Sequence, residues 1–223
     1  SRVLAISSQV VRGHIGLSAA VPALQALGHE VWPLVRRQVP EATLTIVGPD
    51  PPASVVQMDR EITVTGWVER VEPYLERARV SVAPLRFGAG MKGKVGESLA
   101  AGLPVVTTAV GAEGIVAGDP ESNGVLVGED AGSLAAACVR LLQEDALWQR
   151  LSDAGPRVIG SRFGRAAVSA ALEELVTAEA AARCEPGFRA KEATGPHFLA
   201  FWSEAMRRAL EGGAAGDWRG GAE

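Results

Sequence analysis

The sequence predicts an α/β fold, a three-layer domain around a mainly parallel sheet of about five or six strands. Three observations carry this. Short β-branched runs recur along the chain and stop at glycine or proline. Stretches with helical apolar spacing lie between them. One segment, residues 80–108, shows the whole repeat in order: strand, glycine loop, helix, strand.

Taken in order, residues 2–7 read as a buried strand and residues 16–27 as a helix with Ala20, Leu24 and Leu27 on one face. Gly28 is expected to cap that helix, and residues 30–34 to start another strand. Residues 44–47 form a strand that runs into Gly48-Pro49-Asp50-Pro51-Pro52, a stiff turn at the end where open α/β sheets bind ligands. Residues 53–60 suit a short helix and residues 62–66 a second short strand. Trp67 follows that strand; it can stack on a base, but a buried aromatic is the plainer role. Residues 71–79 supply a helix with Val71, Leu75 and Ala78 on one side, leading into the central strand, 80–83.

That strand stops at Pro84 and feeds the loop Arg86-Phe87-Gly88-Ala89-Gly90. From Met91 to Ala101 the pattern is helical, and Gly102 with Pro104 ends it. A strand over 104–108 follows, then a glycine-punctuated loop over 109–115. Residues 124–128 read as a last or edge strand, and Asp130 as the cap of a helix over 133–143, whose Leu134, Ala137, Cys138, Leu141 and Leu142 share a face. Residues 145–159 and 163–182 are further helices. Beyond residue 183, Pro186 and Gly187 break the pattern, and Phe198, Trp202 and Met206 recur at helical spacing ahead of a glycine-rich tail. That stripe suits packing on its own domain, with a membrane surface or a partner domain as the alternative.

Composition narrows the function. Of the 223 residues, 47% are apolar and 22% charged, which places the chain among ordinary globular proteins. The formal charge of −4 gives no general reason to expect nucleic-acid binding. No apolar run approaches the roughly 20 residues that span a bilayer, and no signal peptide is visible, so the cytoplasm is the expectation. Cys138 and Cys184 are the only cysteines, without metal-ligand spacing, and no metal or cofactor is expected.

The chemistry concentrates after the central strand. Gly88 and Gly90 let the backbone approach a ligand and leave N–H groups free to point at it. Together with the helix start at Met91 they make an anion site. Lys94 and Glu97 lie three residues apart on one helical face, a cation suited to a diphosphate and a carboxylate suited to a pair of ribose hydroxyls. Lys92 adds charge from the first turn. A solvated face with an ordinary i,i+3 ion pair is the alternative on spacing alone. Glu113 is a further candidate contact to the ligand, or else part of a surface turn.

These residues resemble the donor-binding half of retaining, nucleotide-sugar-dependent glycosyltransferases with two Rossmann-like domains, the GT-B architecture. The resemblance covers residues 35–176 and rests on 40–48, Thr65-Gly66-Trp67-Val68, Pro84 to Lys94 and Glu97 to Val106. It implies a glycosyltransferase that moves a sugar from a nucleoside diphosphate sugar to an acceptor hydroxyl, without an obligatory metal. It also implies that Glu97 holds the ribose, that Gly88, Gly90, Met91 and Lys92 lie along the diphosphate, that Lys94 stabilises the leaving charge, and that Glu113 lies beside the donor. Many members carry another glutamate where this chain has Ala89. A non-catalytic nucleotide-sugar-binding module, or a fragment lacking its acceptor domain, is the alternative.

Residues 1–34 read differently. Ser8, Gly13, His14 and Gly16 resemble the N-terminus of pyridoxal kinases, but Gln9, Arg12 and Leu17 depart from that pattern and no Gly-Ala/Thr-Gly-Asp segment follows, so kinase activity is rejected. The expected organisation is a kinase-like segment over 1–34, a donor-binding domain over 35–182 and an extension over 183–223.

Overall fold

The computed structural model describes residues 2–6, 22–48, 61–88 and 90–183. Six strands form one sheet: β1 (Arg2–Ile6), β2 (Thr43–Val47), β3 (Ile62–Val64), β4 (Val80–Ala83), β5 (Val105–Thr107) and β6 (Val125–Val127). Their order is β3-β2-β1-β4-β5-β6 and every pairing is parallel. Chain order therefore reverses between β1 and β4. In an open α/β sheet, that reversal opens a crevice at the carboxyl ends of the two strands.

Helices fill both faces. They are α1 (residues 22–38), α2 (Glu72–Arg77), α3 (Gly93–Ala100), the short α4 (Ala109–Ala112), α5 (Ala131–Gln143) and α6 (Asp145–Phe163); one more helix, α7 (Arg165–Arg183), follows in the chain. Neighbouring strand residues enter different cores. Val106 and Leu126 pack with Leu27, Trp32 and Val35 of α1 and Cys138 and Leu141 of α5, while Val105 and Val125 pack with Val95 and Leu99 of α3. Because successive strand residues point to opposite faces, these two clusters are the outer layers of a three-layer domain. A third cluster joins Val47 and Leu75 of α2 to Leu103.

Two compact units divide the chain, residues 1–171 and 172–223. The sheet and α1 to α6 belong to the first. Residues 172–183 of α7 are the described part of the second, and there Leu175 and Val176 are exposed. No described helix is long and apolar enough to cross a membrane.

The elements agree with the expected pattern except in three places. The strand expected over 30–34 is helix instead: α1 passes through a π-helical turn, Leu27–Val31, and continues as Trp32–Gln38. Pro33 has no N–H to give to the carbonyl four residues back, and the wider turn, in which Trp32 N–H donates to Leu27 O, carries the helix past it. Gly28 thus lies buried inside a helix rather than capping one. Residues 109–112 are a helical turn capped by Thr108, whose Oγ1 accepts from Gly111 N at 3.2 Å. Trp67, expected to be buried, is 60% exposed, because Gly66 (φ +69°) turns the chain at the end of β3.

Asp130 caps α5 as expected. Its Oδ1 accepts from Ser133 N at 2.7 Å while Ser133 Oγ accepts from Asp130 N, and the Ser133 backbone bond leads in holding the carboxyl below its ordinary range. Cys138 is a core residue, its thiol pushed up to about 12 by burial. The helix expected over 53–60, Cys184, the 198–206 stripe and the glycine-rich tail lie outside the described residues.

Helix α6 closes over α3 through one glycine. A Cβ on Gly155 would stand 2.7 Å from the Leu99 carbonyl oxygen, whereas one on Gly160 would meet nothing within 4 Å. Gly155→Ala is therefore expected to destabilise by about 1–3 kcal/mol. Gly160→Ala, in the same helix, should stabilise by about 0.5–1 kcal/mol. Thermal unfolding of both variants checks the opposite signs, with roughly 2–4 °C per kcal/mol for a chain of this size.

Candidate functional site

The site is built at the carboxyl end of β4, on the strand-order reversal. Pro84 ends the strand and is buried, so the chain leaves the sheet at once into the loop that reaches α3. Gly88 (φ +132°) and Gly90 (φ +72°) take backbone conformations that side chains disfavour, and a Cβ on Gly90 would meet nothing within 4 Å. The second glycine is there for its conformation and for open space above it.

Lys92 braces this loop. Its Nζ donates to the Gly90 carbonyl, lies 3.4 Å from the Gly88 carbonyl, and pairs with Glu113 Oε2 at 3.4 Å. The ammonium expected to face a ligand is instead turned back on the loop, with only 13% of its side chain exposed. Glu113 reaches it from the turn after α4. That turn is positioned by Gly111, where a Cβ would fall 1.9 Å from Thr107 Oγ1, so only glycine lets α4 lie against the end of β5. Thr107 Oγ1 donates to Ala83 O at 2.6 Å and Thr108 Oγ1 donates to Leu85 O, tying the two strand ends together. The two loops also touch where a Cβ on Gly114 would lie 3.5 Å from Met91, whose side chain is 55% exposed.

Helix α3 carries the other two candidates. Its N-cap, Lys92, makes no side-chain cap bond, and no acidic residue lies in its first turn, so no side chain of its own first turn offsets the positive end of the helix. Lys94 is half-buried there. Burial lowers its pKa to about 8, with the charge of Glu97 working in the opposite direction. Glu97 is exposed one turn on. Beneath them, Ser98 Oγ lies 2.9 Å from Ser81 Oγ of β4 and 3.0 Å from Lys94 O, a buried bond that seats the helix on the sheet.

The structure thus gathers Gly88, Gly90, Met91, Lys92 and Glu113 into one braced pair of loops and sets Lys94 and Glu97 on the adjoining helix. Trp67, at the end of β3, belongs to a different strand end, and Ser8, Gly13, His14 and Gly16 lie outside the described residues. Sequence reasoning did not find the ion pair between Arg86 and Glu30, at 2.6 and 2.7 Å, because nothing in a linear pattern relates positions 56 residues apart. Cavities of about 380 and 530 Å³ lie elsewhere, one between β6 and α5 and one against Thr43, Thr45, Thr63 and Thr65.

A parallel sheet of this order, with helices on both faces and a glycine loop and helix start at its reversal, defines a Rossmann-like domain. Residues 13–144 match the family described as glycosyl transferases group 1, and the chain belongs to that family. No curated protein matches it in sequence. Among solved structures it is similar to Anabaena HepE in complex with UDP-glucose (TM-score 0.59, 13% identity, covering 79% of this chain and 48% of that one). It is also similar to the pneumococcal O-GlcNAc transferase GtfA in complex with UDP and GlcNAc (0.58, 14%, 79% and 35%). The C-terminal domain of the glycosyl transferase group 1 protein LpcC from Francisella tularensis is matched over 86% of its own length, with a TM-score of 0.55, 13% identity and 73% of this chain covered. The chain therefore spans half or less of the first two and most of an isolated C-terminal domain. The fold is the Rossmann-like half of a GT-B architecture.

The lowered value at Lys94 sets a pH dependence. Below pH 8 the unliganded fold carries the charged ammonium against its burial, and that penalty is relieved as pH rises from about 8 toward the ordinary lysine value. An anion bound at α3 restores the charge, so anion binding takes up a proton near pH 8 and weakens above it. Calorimetric titration with inorganic diphosphate from pH 7 to 9.5 should show this fall, and Lys94→Arg, which stays charged, should flatten it.

Proposed function

We propose that the chain binds a nucleoside diphosphate sugar across the 86–92 loop and the start of α3, and transfers the sugar to an acceptor hydroxyl. The observation that carries this is the meeting, at one strand end, of an open glycine loop, an uncapped helix start, a half-buried lysine and a carboxylate one turn further along. Transfer breaks the bond from the anomeric carbon to the diphosphate oxygen and forms one to the acceptor oxygen, whose proton leaves with the departing diphosphate. In this reading Lys94 and the loop and helix N–H groups stabilise the negative charge that develops on the diphosphate as the bond breaks. Glu97 is assigned to the ribose hydroxyls, and Gly88, Gly90 and Met91 to the passage of the diphosphate. Lys92 and Glu113 serve this reading by shaping the loop, with Glu113 also at the rim beside the sugar.

Retention of anomeric configuration, hexosyl transfer and independence of any metal follow from the resemblance and are part of the proposal. So are the cytoplasm as its compartment and a docking domain or membrane surface as its partner. No kinase chemistry is assigned to residues 1–34.

Thermal unfolding with UDP, GDP and ADP at millimolar concentration tests the binding half. A nucleotide at 100 times its Kd should stabilise by about 2.7 kcal/mol. Glu97→Ala should abolish most of that shift while leaving the unliganded Tm unchanged, since Glu97 is exposed. Equal shifts in both proteins would overturn the ribose assignment. Release of free UDP from UDP-sugars in the presence of acceptor alcohols separates transfer from binding alone.

A further inference from the structure

We propose that Arg86 is a further ligand of the donor diphosphate and that Glu30 is its resident counter-ion, so that binding exchanges one anion for another on the same guanidinium. The proposal rests on the donor-site reading above. Arg86 opens the glycine loop after β4, while Glu30 lies on α1, the helix that follows β1. Those two strands are the neighbours between which chain order reverses. The ion pair therefore joins the two lips of the crevice in which a ligand of such a sheet lies.

Arg86 Nη2 lies 2.7 and 2.6 Å from the two oxygens of one carboxylate, so a single nitrogen holds Glu30 while the guanidinium keeps further N–H donors with which phosphate oxygens can form a two-pronged contact. Both side chains are about half exposed, 57% for Arg86 and 46% for Glu30, so the pair holds weakly and opens without disturbing the core. Lys92, by contrast, is committed to Gly88, Gly90 and Glu113 and is mostly covered. Arg86 is thus the more readily released of the two loop cations. Glu30 is also carried by the π-helical turn of α1, a local widening that recurs at functional positions in helices.

A double-mutant cycle tests this on the full chain, with inorganic diphosphate as the probe and affinity read by calorimetry at pH 7. Glu30→Gln should tighten diphosphate binding by about threefold or more, and Arg86→Ala should weaken it by about tenfold, the range expected for a charge-assisted contact. In the Arg86→Ala background, Glu30→Gln should have no effect, because the carboxylate then has nothing to release. An equal gain from Glu30→Gln in both backgrounds overturns the exchange, since it would be a general field effect. Weaker binding in Glu30→Gln overturns it too, by making Glu30 a brace, and so does failure of the wild-type chain to bind diphosphate. The same titrations with UDP and Glu97→Ala judge the donor reading separately: a cycle that holds for diphosphate while Glu97→Ala leaves UDP affinity unchanged sinks the ribose site and not the exchange. Far-UV circular dichroism of each variant verifies the fold.

Discussion

The buried contact between Ser98 and Ser81 is the point on which the site depends. Strand β4 ends at the crevice and α3 starts beside it, but loops alone would leave their relative height undetermined. The two hydroxyls lie 2.9 Å apart beside the apolar cluster of Val95, Leu99, Val105 and Val125, and Ser98 is the partner that spares Ser81 an unmet hydrogen bond. A one-residue shift of α3 would take that partner from Ser81, at about 1–3 kcal/mol. The same Ser98 hydroxyl lies within reach of the Lys94 carbonyl, so the residue that sets the height of the helix also touches the turn that faces a ligand. On the other side, the close fit of Gly155 against the Leu99 carbonyl prevents α3 from retreating.

What hangs from this frame is braced rather than loose. Loop backbones that bind phosphates have to hold several N–H groups in one direction, and ordering them at the moment of binding would consume affinity. Here the ordering is done by the protein's own groups. Lys92 gathers the Gly88 and Gly90 carbonyls on one side of the loop, Thr108 holds the Leu85 carbonyl, and Glu113 closes the cluster from the neighbouring turn. Lys92, which the sequence offers as a phosphate ligand, is engaged with the Gly88 and Gly90 carbonyls and Glu113 in this structure.

The fold was legible because its signals are local. The β-branched runs at 80–83 and 105–107, the Gly102 stop, and the Asp130 cap each follow from neighbours within a few residues, and each is found where the pattern puts it. The failures came where a local signal met a non-local demand. Gly28 and Pro33 are helix breakers by propensity, yet Leu27, Val31, Trp32 and Val35 bury together against α5, and a single π-helical turn absorbs the conflict. Trp67 misled in the opposite direction: an aromatic after a strand suggests core, but Gly66 turns it outward. In the site, Gly88, Gly90, Lys94 and Glu97 were visible as one motif. The orientation of Lys92 toward Glu113 was not, since it depends on how far α4 approaches β5, which Gly111 decides by lacking a side chain.

The charges of the site also follow a common plan. Lys94 is held partly out of water, which lowers its pKa, and Glu97 lies close enough to oppose that loss. Arg86 and Lys92 each hold a carboxylate, Glu30 and Glu113. Three cations near one crevice would repel one another and weaken the unliganded fold; with three carboxylates beside them the local balance is near neutral. The arrangement lowers affinity for any anion that offers no more than a carboxylate already does. An incoming group has to carry more oxygen charge than Glu30 to displace it from Arg86, and it has to reach Lys94 at the same time to gain from the helix start. A diphosphate meets both conditions along its length, and a monoanion of ordinary size meets one. On the donor-site reading proposed above, occupied cations trade part of the binding strength of bare ones for discrimination in favour of a diphosphate.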